Sequence, residues 1–75
     1  MMNRSEVRSL VLEALALCQK NKGVLLDRDA KRLTDIRDKL WSELITHGTA
    51  RDEVRQEISS TLDIIYQRLY DYFLR

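Results

Sequence analysis

The stretch HGTARDEVRQEISSTLDIIYQRLYDYF, residues 47–73, decides the fold. Gly48 interrupts the chain, Thr49 is placed to cap, and Asp52 follows three residues later. Asp52 and Glu53 suit the positive pole of a first helical turn. Val54, Ile58, Leu62, Ile65, Leu69 and Tyr72 then recur on one stripe at about 100° per residue. That pattern predicts a helix over 50–74. Period-two alternation is absent here and elsewhere, so no strand is expected.

Working back from Gly48, the next glycine is Gly23, and no proline occurs anywhere. The two glycines cut the chain into near-equal thirds, and glycine commonly follows a helix end. The middle third predicts a helix over 27–47, with Asp27 or Asp29 as cap. Its apolar face is Ala30, Leu33, Ile36, Leu40, Trp41, Leu44 and Ile45. Asp27, Lys31, Asp35, Lys39 and Glu43 recur every fourth residue with both signs, the pattern of a solvated face with neighbouring ion pairs. The first third predicts a helix over 4–22. Asn3 and Glu6 form a capping-box pattern. Val7, Leu10, Val11, Ala14, Leu15, Leu17 and Cys18 share a side, Leu12 lies outside it, and Lys20 and Lys22 are expected beside the negative pole.

The expectation is therefore a single all-α domain over 1–75. It is a small three-helix bundle, antiparallel with short turns near 22–26 and 47–49, and dimerisation is one way to complete it. The rival is a long helical hairpin with a shorter third helix, completed by a second chain. Seventy-five residues bury only about 60% of their unfolded surface, so such a core is marginal.

Composition removes most classes of function. Thirteen basic and twelve acidic residues leave a net charge of +1, which gives no general attraction to nucleic acid or to an anionic membrane. The three thirds carry +2, 0 and −1. The only tract resembling a helix-turn-helix reading helix, with Arg51, Arg55 and Gln56, thus lies in the acidic third, interleaved with Asp52, Glu53 and Glu57. Nucleic acid is not expected as a partner, and a DNA-binding regulator is the alternative reading. Glu6 and Glu13 interrupt the first apolar tract, which excludes a signal-peptide pattern, and no run reaches the ~20 apolar residues of a membrane span. The lone Cys18 suits a reducing compartment, and a cytoplasmic protein is expected.

Catalytic chemistry finds no support. One Cys and one His make neither a disulfide framework nor a zinc site. Cys18 and His47 form no recognisable nucleophile and base with an orienting group. No phosphate-cradling glycine loop or dinucleotide fingerprint is present. No enzyme activity, cofactor, metal or small-molecule substrate is expected. Cys18 reads as a small buried hydrophobe, and His47 as a packing or capping residue. Trp41 reads as a core anchor, with a partner hot spot as the alternative. Arg37, inside the apolar arc, is expected to lay its stem on the core edge or to pair with an acid.

The third helix is apolar around too much of its circumference. Ile64 falls about 80° to one side of the main stripe, and Tyr66, Tyr70 and Phe73 about 100–160° to the other. A surface helix needs an apolar arc only somewhat above 100°. Ile64, Tyr66, Tyr70 and Phe73 are therefore the expected partner-binding residues, with Leu12 and Leu74 adding to the excess. The expected function is a protein–protein interaction module of adaptor, regulator or co-chaperone type. Its partner is a second copy of the chain or another helical protein.

Overall fold

A computed structural model describes residues 3–46 and 52–74. Three helices pack together, α1 (Arg4–Gln19), α2 (Asp27–Thr46) and α3 (Asp52–Phe73), with no strand among the described residues. The fold is the expected all-α three-helix bundle. The hairpin rival fails on length, because α3 is the longest helix, at 22 residues. His47, Gly48, Thr49 and Arg51, on which the expected second turn, cap and reading helix rest, lie outside the described residues.

Helix α1 begins as its sequence requires. The Asn3 carboxamide accepts the Glu6 N–H at 2.8 Å, and Glu6 reaches back to the Asn3 N–H at 3.5 Å, satisfying two of the donors that a helix start leaves open. The end departs from expectation. α1 stops at Gln19, three residues short of 22. Lys20 is extended, and Asn21, Lys22 and Gly23 follow with φ of 55°, 58° and 83°. Asn and Gly tolerate this left-handed region, and Lys does so at a cost. The turn closes through the Val24 N–H on the Asn21 carbonyl at 3.1 Å. The glycine signal thus marked the last residue of a three-residue left-handed reversal rather than the residue just past the helix. Lys20 and Lys22 consequently lie beyond the last turn of α1.

The connection then buries Leu25, leaving Val24 and Leu26 exposed. Helical bonding resumes when the Leu26 carbonyl accepts the Ala30 N–H at 2.9 Å. Asp27 and Asp29 therefore sit inside the first turn of α2 rather than capping it. There their charges still favour the positive pole.

The core is a layered stack. α1 contributes Val7, Val11, Ala14 and Cys18. α2 contributes Ala30, Leu33, Ile36 and Leu40, and α3 contributes Ile58, Leu62, Ile65 and Leu69. Leu10, Leu15, Leu17, Leu44, Val54 and Tyr72 seal its edges half-buried. Two expected members of the α2 face are missing from it: Trp41 is 46% exposed and Ile45 is 62% exposed. The geometry explains both. Relative to Leu40, Trp41 is turned by about 100° and Ile45 by about 140°. A stripe centred on Leu33, Ile36 and Leu40 leaves them on the flank.

The polar row of α2 is corrected in the same way. A four-residue step overshoots a 3.6-residue turn by about 40°, so four steps from Asp27 to Glu43 rotate by about 160°. The row starts in solvent and ends in the core edge, where Glu43 is only 9% exposed.

Candidate interaction surface

Contacts between the helices orient three outer faces. Arg8 of α1 pairs with Glu57 of α3 at 3.8 Å, so the beginnings of these two helices share one end and they run parallel. Lys20, just past the end of α1, meets Asp29 in the first turn of α2, and Glu13, earlier in α1, meets Arg32, later in α2, so those two run antiparallel. Tyr72 near the end of α3 donates its hydroxyl proton to Asp27 at the start of α2. The path is therefore up, down, up.

The α1–α2 face is polar. The Arg32 guanidinium forks onto both Glu13 oxygens, at 2.5 and 2.8 Å, and reaches Asp35 at 3.0 Å. Lys39 adds an ion pair to Asp35 at 3.3 Å. The hydrogen bond from Arg32 holds the Glu13 carboxyl below its usual range and raises the guanidinium in return.

The α1–α3 side carries Leu12 and Ile64, both exposed, together with the Arg8–Glu57 pair. Ile64 lines a cleft of about 270 Å³ with Asp63, Gln67 and Arg68. Behind it, the Arg68 guanidinium lies 3.7–3.9 Å from where a side chain on Gly23 would begin. Its Nε is buried without a hydrogen-bond partner among the described residues. Burial pushes the neighbouring Cys18 thiol up, and Arg68 partly opposes that. A raised thiol is the inert kind, which suits the packing role expected of Cys18. Asp29 is buried in the first turn of α2, with Oδ2 facing the Lys20 ammonium at 3.6 Å.

The α2–α3 face is aromatic. Tyr66, Tyr70 and Phe73 follow one another at spacings of four and three, so they share one flank of α3. All three are exposed, at 44%, 63% and 69%. On α2, Ala30, Thr34, Trp41 and Ile45 share the facing flank. Trp41 lies eleven residues past Ala30 and seven past Thr34, within about 20° of each. Phe73 and Tyr72, whose rings meet edge to face at 5.3 Å, join Ala30 and Thr34 as walls of a cleft of about 590 Å³. Asp27, Arg28 and Lys31 also line it. Arg37 spans the middle of the face with its stem half-buried and its guanidinium on Asp38 at 3.1 Å.

The four expected partner-binding residues do not form one patch. Tyr66, Tyr70 and Phe73 are brought together on the α2–α3 face. Ile64 points about 160° away from Tyr66 around the helix, beside α1. Sequence reasoning missed that Trp41 and Ile45 extend the aromatic flank across α2, and it missed the cleft. The signal was present in Ala30 and Thr34, two small residues one turn apart opposite Phe73. Sequence reasoning also missed the burial of Asp29, Glu43 and Thr61. The Thr61 hydroxyl donates to the Glu57 carbonyl at 2.8 Å within its own helix, so it needs no outside partner. No group of His, Cys, Asp and Glu side chains suited to a metal occurs among the described residues, and none of their helices is long and apolar enough to cross a membrane.

No family model matches the chain, and the comparisons with curated proteins and with solved structures give no match either.

Proposed function

We propose that this protein is a non-enzymatic protein–protein interaction module that binds a helical partner across its α2–α3 face. The observation that carries this reading is the run of exposed rings, Trp41, Tyr66, Tyr70 and Phe73, on adjacent flanks of two antiparallel helices. Aromatic side chains bury 150–250 Å² each. At the observed exposures these four present about 450 Å² of ring surface, which is the upper range of what a monomer leaves uncovered. Aromatic residues are enriched where partners meet, and Tyr and Trp dominate binding hot spots. The groove between the helices suits a helix laid along it, with anchors one turn apart. Ile64, on the opposite flank of α3, lies outside this surface.

The test is capture from the native cell with tagged protein, comparing the wild type with Tyr66→Glu/Tyr70→Glu and with Leu12→Glu on another face. The expected result is a helical protein retained by the wild type and by Leu12→Glu but lost from the double variant. Identical retention by all three would remove the α2–α3 face as the binding surface. A sequence-specific duplex DNA complex of nanomolar affinity would instead favour a DNA-binding regulator.

A further inference from the structure

We infer that the occupant of the α2–α3 face is a second copy of this chain, docked antiparallel so that Trp41 of each protomer enters the cleft of the other. The inference rests on the interaction reading above and names its partner. It starts from a knob and a hole on one face. Trp41 stands half-exposed on the flank of α2. The cleft walled by Ala30, Thr34, Tyr72 and Phe73 lies on the same flank, about 10–16 Å back along α2. It is an open groove of about 590 Å³, room enough for an indole to lie along its walls. Arg28 and Lys31, which line it together with Asp27, supply the cations that an indole face attracts.

Symmetry then does the matching. A two-fold axis lying in the interface, perpendicular to the helices, reverses position along the bundle and preserves position across it. It sets α2 against α2 and α3 against α3, and carries each Trp41 onto the other protomer's cleft. The axis falls midway between Thr34 and Trp41, at the level of Arg37 and Asp38. These two opposite charges already pair within one chain at 3.1 Å, and the axis brings a second such pair beside them, so each guanidinium gains a second carboxylate. On α3 the same level is Tyr66, seven residues before Phe73 as Arg37 is seven after Ala30. Tyr66 therefore meets its own copy at the centre, and Tyr70 flanks it. An isologous contact requires this self-complementarity of shape and charge.

The aromatic surface supplies most of the area that a stable dimer needs. Two copies bury about 900 Å² of ring surface alone, and stable interfaces begin near 1,200 Å². Ile45 and the stems of Arg37 and Lys31 supply the remainder.

The experiment uses the whole chain and its only tryptophan. Light scattering across the micromolar range is expected to give twice the 8.9 kDa chain mass. Dilution into the monomer is expected to shift the Trp41 emission to the red. Trp41→Ala should raise the dissociation constant at least tenfold, and Leu12→Ala should leave it unchanged. In a Cys18→Ala background, Asp38→Cys beside the axis should crosslink to its own copy on mild oxidation, and Leu12→Cys should not. A wild-type monomer at 100 micromolar, with emission independent of concentration, would overturn the inference. So would a dimer that crosslinks through Leu12→Cys. Neither result touches the broader reading if capture still retains a different helical protein through Tyr66 and Tyr70. Loss of that capture result would sink the broader reading separately.

Discussion

Lys22 is the residue whose backbone costs the fold most visibly. Its φ of 58° puts Cβ against the following carbonyl, a penalty of roughly 1–2 kcal/mol for an L-residue. Lys22→Gly removes that penalty and costs roughly 0.5–1 kcal/mol in unfolded-chain entropy. A net stabilisation of about 0.5–1 kcal/mol is expected, read as a higher urea midpoint at unchanged slope. Gly23→Ala should move the midpoint the other way by about 1 kcal/mol. The new methyl meets the Arg68 guanidinium at ordinary contact distance, 3.7 Å, so the loss comes from the backbone at φ 83° rather than from a clash. Matching midpoints for the two variants would show that the left-handed reversal does not form in solution. The wrong end assigned to α1 has its origin at these residues. Asn21 and Gly23 suit the left-handed region locally but Lys22 does not, and the burial of Leu25 just beyond is a long-range contact that local propensity does not carry.

Among the elements, the link between α1 and α2 is pinned twice. Leu25 is 2% exposed, so Leu25→Ala removes a fully buried side chain from a connecting segment. A loss of about 2–5 kcal/mol is expected, a large share of what a domain this small holds. Circular dichroism melts check it, and a drop of a degree or less would mean that Leu25 leaves the core readily. The Arg32 fork on Glu13 is the second pin, and it is sensitive to pH. The folded Glu13 carboxyl sits below its ordinary value. Its contribution is therefore complete above about pH 4.3 and is lost as pH falls through the lower folded value. Glu13→Gln should lower the melting midpoint at pH 7, and the gap from wild type should close as pH falls through the folded value. A constant gap would assign the loss to packing. The stripes on all three helices were legible because four buried residues in each repeat at helical spacing. Trp41, Ile45 and Glu43 were misread because a wide apolar arc and a four-residue charge row both drift around the helix. Their positions depend on where the neighbouring helix centres its contact. Tyr66, Tyr70 and Phe73 were legible as surplus beyond the core stripe. Ile64 is surplus to that stripe as well, but on its other flank, so the fold does not bring it to the same patch.

At the scale of the whole molecule, the up-down-up path runs α1 and α3 side by side in the same direction, along a rod about 37 Å long. Asn3 and Leu74 consequently emerge at opposite ends. Tension between those two points slides α1 against α3 lengthwise, so the core layers from Val7 to Cys18 resist together. Tension between Asn3 and Glu53, which share an end, peels the helices apart one turn at a time. Rupture under load is governed by the unfolding rate along the pulled direction. Optical-tweezer traces should therefore show one abrupt, high-force event for attachment at residues 3 and 74, and a lower, more gradual yielding for attachment at 3 and 53. Equal forces in the two geometries would contradict the parallel pairing of α1 and α3. The bundle thus has a stiff direction and a soft one, set by the direction in which its third helix runs.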